Sequence, residues 1–226
     1  MQTANLLGTH GLGMQYAFEF GTYIAINREK LVKRFMASNA QFLLFLDGDT
    51  VFQAQDVLAL LAADVDVVSG LYRYRQRVPP GMAEHSFRDA EGKAVRIDLA
   101  AELQECALVP TGMLLIRRSV FERLYTKHRF VFDQGFRAPR DEIADLFETE
   151  DEIAESFEGE DTHFCRIWRE MGGQIFVKPS VRLGHLGEHE YRITPDARNF
   201  ENDPRFMHDT PEAQAWEAAE RAAGRW

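Results

Sequence analysis

Five apolar residues in a row, Phe42-Leu43-Leu44-Phe45-Leu46, run directly into Asp47-Gly48-Asp49-Thr50. A continuous apolar run of this length, bounded by turn residues, reads as a buried strand. Open α/β sheets bind ligands at the carboxyl ends of their strands, and there this chain puts two carboxylates one residue apart. Two anions so close repel each other unless a cation lies between them, and hard divalent ions choose oxygen ligands. The pattern implies a metal held against something negatively charged, most simply a diphosphate. Asp and Gly also open ordinary turns, so the motif needs support from elsewhere in the chain.

The surrounding pattern alternates helix and strand. Residues 28–36 put Leu31, Val32, Phe35 and Met36 on one side of a helix and Arg28, Lys30, Lys33 and Arg34 around the other. Asp56 opens a second helix with Val57, Leu58, Leu60 and Leu61 as its buried stripe, and residues 66–72 form the next strand. This is the order of a parallel sheet with crossover helices, whose right-handed connections bring both strand ends to one edge. Ahead of it, residues 1–24 have room for a short helix and one short strand.

Further along, Pro79-Pro80-Gly81 marks a turn and Glu91-Gly92 a hairpin. Residues 107–116 resume as an apolar strand interrupted by Pro110, Thr111 and Gly112, and a helix follows over 119–125. Residues 141–161 carry eleven acidic residues and no basic one, yet Ile143, Leu146, Phe147, Ile153, Ala154 and Phe157 recur at helical spacing. They read as an exposed helical insertion with a solvated acidic face, placed where it could act as a mobile lid. Residues 161–171 form another helix, with Trp168 in the core, stopped by Gly172-Gly173. A strand at 174–177 follows, and residues 179–185 return to the surface. Thr210-Pro211-Glu212 starts a last helix. With no repeat and no linker, the expectation is one domain over 1–200, including the 141–158 insertion, and a tail over 201–226 with a short helix.

The 226 residues suffice for one α/β domain with a full core. A net charge of −10 argues against a general nucleic-acid binder, which needs a basic surface, but leaves a nucleotide ligand open. Cys106 and Cys165 belong to no CxxC pair and read as buried thiols. No apolar run approaches a membrane span, and the first residues lack a signal-peptide layout, so a cytoplasmic protein is expected.

Two more segments share the theme of Asp47 and Asp49: Gly159-Glu160-Asp161 opens a helix, and Gly184-His185-Leu186-Gly187 follows a strand. Singly each is weak. Acidic residues at a helix start complement the macrodipole, and His185 could be a polar loop residue. His189, four residues on, has zinc-like spacing, but the glycines argue against a helix there and it reads as solvent-facing.

Taken in order, these blocks resemble the glycosyltransferases of the GT-A fold, especially the small family 2-like enzymes of bacteria and phages. The resemblance runs from about Thr22 to Tyr191. It includes Asn27-Arg28-Glu29-Lys30-Leu31-Val32, the DxD strand, and Val67-Val68-Ser69-Gly70-Leu71-Tyr72-Arg73-Tyr74. It continues through Thr111-Gly112-Met113-Leu114-Leu115-Ile116-Arg117-Arg118, Gly159-Glu160-Asp161-Thr162-His163-Phe164-Cys165 and the GHxG segment. The implied fold is a mixed, mainly parallel sheet flanked by helices. The implied activity is hexosyl transfer from a UDP- or GDP-sugar to a hydroxyl acceptor on a glycan, a protein or a modified base. By this resemblance Asp49 would ligate Mn²⁺ or Mg²⁺, Asp47 would bind metal or ribose, and His185 would complete the metal shell. Asp161 would be the general base, with Glu160 as its orienting or acceptor-binding partner. Arg28 would reach the diphosphate, and Gly112 would let backbone approach the donor sugar; their bland roles are a helix-surface arginine and a strand bulge. Tyr72, Arg73, Arg75 and Arg77 leave their strand at the same edge, where a solvated exit is the simpler role.

The family opens with a strand whose Pro-Thr-like turn contacts the nucleotide base. Here Met1-Gln2-Thr3-Ala4-Asn5-Leu6-Leu7 reads as the helix after that strand, so the base-contacting loop is not expected. A non-catalytic or truncated binding module is therefore a second reading. A third is a phosphatase with Asp47 as nucleophile and Asp49 as acid/base; there a motif on the first strand is usual and a later lysine-plus-acid pair is needed.

Overall fold

The computed structural model describes residues 2–71, 87–90, 92–93, 95–136, 157–186, 191–192 and 222. In chain order these form helices α1 (Gln2–Thr9) and α2 (Ile24–Met36), strands β1 (Phe42–Leu46) and β2 (Thr50–Val51), helix α3 (Ala54–Ala62) and strand β3 (Val67–Leu71). There follow β4 (Gln104–Glu105), β5 (Met113–Arg117), α4 (Arg118–Leu124), β6 (Gly135–Phe136) and β7 (Phe157–Glu158). The last are α5 (Glu160–Glu170), β8 (Phe176–Arg182), β9 (Gly184–His185) and β10 (Tyr191–Arg192). The Tyr72–Arg77 residues, the Pro79 turn, residues 141–156, His189 and the helix at Thr210 lie outside the described residues.

The fold is mixed α/β. Its main sheet has the order β1-β5-β3-β8-β4. β1, β3 and β8 point one way; β5 is inserted antiparallel between β1 and β3, and β4 runs antiparallel at the far edge. The β1–α3–β3 crossover therefore skips one position, which β5 fills. A bulge interrupts β3–β8 pairing between the Gly70↔Lys178 and Leu71↔Arg182 pairs. Pro179, which has no N–H for a ladder, falls inside it.

Helix α3 is entered through a reciprocal cap, with the Gln53 N–H donating to Asp56 Oδ2 at 2.7 Å. α2 ends against Arg118, whose guanidinium donates to the carbonyls of Phe35, Ser38 and Ala40 at 2.9, 2.8 and 2.7 Å. One of these carbonyls is in the last turn of α2 and two are in the connection to β1, so this arginine of the GxLLIRR block clamps the helix end and is structural. The neighbouring Arg117 pairs with Asp64 and Asp66. A chain of rings joins the layers: Phe35 on Phe121 at 5.7 Å, Phe121 on Phe164 at 6.4 Å, Phe164 on Phe132 at 4.9 Å and Phe132 on Phe45 at 5.1 Å. It ties α2, α4 and α5 to the strand that ends in Asp47.

Five expectations change. β8 runs through residues 179–182, with Val181 and the following Leu183 buried, rather than returning to the surface after residue 177. Arg28 sits on the buried face of α2 with Ala25, Val32 and Phe35, not on its polar side, because it has carboxylates to meet there. Phe157 and Glu158 form a strand pairing with β6 rather than a helix. Glu158 is buried against Arg166 and His163, so that end of the acidic run is not a solvated face. The short strand expected before residue 24 pairs with no other among the described residues. By contrast, Cys106 and Cys165 are free and buried, and burial pushes both thiols up to about 12. Gly92 has φ +80° and its N–H on the Asp89 carbonyl at 3.2 Å; Glu91, the other residue of the expected hairpin, lies outside the described residues.

Trp168 is fully buried, as its spacing implies, and donates from Nε1 to the Gln174 carbonyl at 3.1 Å. A Cβ on Gly173 would fall 2.0 Å from the indole. Gly173→Ala is expected to cost about 3 kcal/mol in urea unfolding. Gly172→Ala, strained only by its φ of +78°, is expected to cost about 1 kcal/mol. Equal losses would show that the indole yields.

Candidate active site

The carboxyl edge of the sheet collects the residues singled out above. β1 ends at Leu46, opposite Met113 of β5, so the start of β5 and the Asp47 turn share that edge. The Asp47 N–H donates to the Gly112 carbonyl at 3.1 Å, and Thr50 Oγ1 donates to the same oxygen at 3.0 Å. Gly112 thus serves as an acceptor that fixes the DxD turn. The turn closes with the Thr50 N–H on the Asp47 carbonyl at 3.1 Å. Gly48 at its tip is exposed, with open space where a Cβ would stand.

β9 places His185 by its backbone. It pairs with Thr50 in β2, and the Leu186 N–H donates to the Asp49 carbonyl at 2.7 Å. The segment carrying His185 therefore lies alongside the one carrying Asp49, although 136 positions separate them in sequence.

Arg28 joins the third element. Its Nη2 donates to Asp47 Oδ1 at 3.2 Å and its Nε to Glu160 Oε1 at 3.1 Å, while the guanidinium lies 5.3 Å from the Phe45 ring centroid. The side chains of Arg28, Glu160 and Asp47 are 6%, 13% and 33% exposed, so the cation and Glu160 are desolvated while Asp47 still faces solvent. The next residue, Glu29, accepts the backbone N–H groups of Val131 and Phe132 and the Tyr125 hydroxyl. Adjacent residues of α2 thus grip the acidic edge and the loop that carries Phe132.

Asp161 is the second residue of α5. Its Oδ1 accepts the Thr162 N–H at 2.7 Å, and the absent side chain of Gly159 leaves it room, since a Cβ there would stand 3.2 Å away. Burial, and then the neighbouring Glu160 charge, hold its carboxyl above the usual aspartate range despite Arg28 and the Thr162 hydrogen bonds. Glu160, read singly as a macrodipole residue, has a specific partner in Arg28. Sequence reasoning missed Glu29 and the Glu158–His163–Arg166 cluster; the only signal was the three-residue spacing of His163 and Arg166 on one face of α5.

Among the described residues no three His, Cys, Asp or Glu side chains form a cluster suited to a metal ion. The two aspartates still fit a hard cation, which can take one or two protein carboxylates and fill its shell with water and phosphate oxygens. Nor, among the described residues, is any helix long and apolar enough to cross a membrane.

No protein-family model matches the chain, and no curated protein matches it. Thirteen chains of solved structure do. One is A197 from STIV, 18% identical, with a TM-score of 0.48 over 89% of this chain and 88% of that one. Another is GalNAc-T7, solved with UDP, GalNAc and Mn²⁺, 14% identical, with a TM-score of 0.43. That match takes in 96% of this chain but 38% of GalNAc-T7, so the chain spans well under half of that protein's length.

Proposed function

We propose that the chain is a metal-dependent glycosyltransferase that moves a sugar from a nucleoside-diphosphate donor to a hydroxyl acceptor. The observation that carries this reading is the Arg28 bridge, which brings the DxD turn and the Glu160-Asp161 helix start to one edge of the sheet. Transfer needs an anion-stabilising end and a proton-accepting end within one sugar's reach, and the two carboxylate pairs supply them. Asp49 and Asp47, with His185 in the adjoining strand, hold Mn²⁺ or Mg²⁺. When bound, the cation supplies positive charge to the leaving diphosphate as a Lewis acid. Arg28 keeps Asp47 and Glu160 from repelling each other and adds charge beside the phosphates. Where the transfer inverts the anomeric centre, Asp161 accepts the acceptor hydroxyl proton as that oxygen attacks the anomeric carbon and the bond to the nucleoside diphosphate breaks. Its desolvated position makes it a stronger base than an exposed aspartate. Glu160 orients the acceptor.

Thermal unfolding tests the donor end. A ligand that binds only the folded state raises the melting temperature by mass action. UDP or GDP is expected to raise it by several degrees with Mn²⁺ and little without, an effect of about 2–3 kcal/mol near a hundredfold excess over Kd. Asp49→Ala is expected to lose that rise. A metal-independent shift that survives Asp49→Ala would remove the donor assignment.

A further inference from the structure

Helix α5 begins at Gly159 without a side-chain cap. The residues on either side of that glycine are gripped by arginines instead. Glu160 takes Arg28 from α2. Glu158, its side chain 7% exposed at the end of β7, takes Arg166 from about two turns further along α5 itself. That grip is a fork, Nε to Oε1 at 2.9 Å and Nη2 to Oε2 at 3.0 Å, while Nη1 donates to Glu170 Oε1 at 2.8 Å. His163 closes the cluster, with Nδ1 3.3 Å from both Glu158 Oε2 and Arg166 Nη2. A fork fixes the direction of a carboxylate as well as its distance. It therefore folds the strand before Gly159 back against the body of the helix after it.

The two grips close a circuit that starts from neighbouring residues of α2. One arm runs directly from Arg28 to Glu160. The other runs from Glu29 to the N–H groups of Val131 and Phe132 and along β6. It then crosses the Gly135↔Glu158 pair to β7 and enters α5 through the fork. Asp161 stands where the arms meet, next to Glu160. It has little slack, since its Oδ1 holds the Thr162 N–H and lies 3.2 Å from where a Gly159 Cβ would stand. A change of bend at Gly159 would carry the carboxylate with it.

We infer that Arg166 is a positioning residue for Asp161: by holding Glu158 against α5 it sets the bend at Gly159, and with it the place of the Asp161 carboxylate. The placement follows from the fork and the circuit; the use of Asp161 as a base rests on the transferase reading above. The test separates positioning from stability, and its first arm needs no substrate. Arg166→Lys keeps a positive charge beside Glu158 but offers no planar fork. The Asp161 carboxyl carbon is titrated by NMR in the metal-free chain. Its midpoint is expected above the usual aspartate range in the wild type, and to fall towards that range in Arg166→Lys as the carboxylate gains water. The groups that face it, Glu160 and Cys165 of α5 and Arg28 of α2, are the same in both. Gly173→Ala is the control, because its clash with Trp168 lies at the other end of α5. It is expected to melt lower and to leave the Asp161 midpoint where it was. In the second arm, UDP- and GDP-sugars are supplied with Mn²⁺. Arg166→Lys is expected to lower kcat about 10–100-fold with the donor KM unchanged, since misplacement of a reacting group costs rate.

An Asp161 midpoint that Arg166→Lys leaves unmoved overturns the inference. So does an equal movement in Gly173→Ala, or a donor KM that rises with kcat unchanged. A wild-type chain that releases no nucleotide from any donor removes the transferase reading alone, and the titration still decides what the fork does.

Discussion

Asp161→Asn is expected to melt at a higher temperature than the wild-type chain at pH 7 while losing the proposed transfer activity by about 10²–10⁴-fold. Burial and the Glu160 charge raise the Asp161 carboxyl above its unfolded value. Folding therefore favours the neutral form. That contribution is complete below the unfolded pKa and is lost as pH rises through the raised folded value. Once ionised, Asp161 carries a charge that its surroundings disfavour. Asparagine keeps an oxygen for the Thr162 N–H and carries no charge, so a gain of about 1 kcal/mol follows. The advantage should grow as pH rises through the Asp161 titration, above the range of an unburied aspartate. Melting curves across pH check the stability arm; release of UDP or GDP from the matching sugar donor with Mn²⁺ checks the activity arm. The wild-type rate should fall on the acid side as the base takes its proton. A variant that is no more stable at pH 7 and still active would show that Asp161 is merely a helix-start residue.

The parts of the fold legible in the sequence are those written in local periodicity. The apolar run before Asp47 is β1, the stripe through Val57 and Leu60 is buried in α3, and Gly172-Gly173 ends α5. Pairing partners were less visible. Nothing in the run 113–117 says that it slots antiparallel between β1 and β3, because a fully apolar strand carries no mark of direction. The site was legible as three short motifs but not as one place. Charge patterning put Arg28 with Lys30, Lys33 and Arg34, since an arginine on a lysine-rich helix resembles its neighbours until its partners are known. Those partners lie 19 and 132 positions away. Glu158 was misread for the same reason: a long acidic run looks solvated until Arg166 and His163 fold over one member of it.

Replacing Arg28 should reveal how far the two halves of the site depend on one side chain. Arg28→Met keeps the length and the contact with Phe45 but removes the only cation that touches both Asp47 and Glu160 among the described residues. Breaking a buried pair by deleting one partner costs about 3–5 kcal/mol, because the remaining charge stays desolvated. Here the loss should fall at the lower end, about 3 kcal/mol. The Glu160 arm is buried on both sides, while Asp47 is 33% exposed and partly screened by water. The remedy should be equally specific. Glu160→Gln in the Arg28→Met background is expected to return about 1–3 kcal/mol, read as the coupling term of a double-mutant cycle in urea unfolding. Asp47→Asn should return less. A small loss with no coupling to Glu160 would reduce Arg28 to a packing residue and would unlink the proposed donor and acceptor ends of the site.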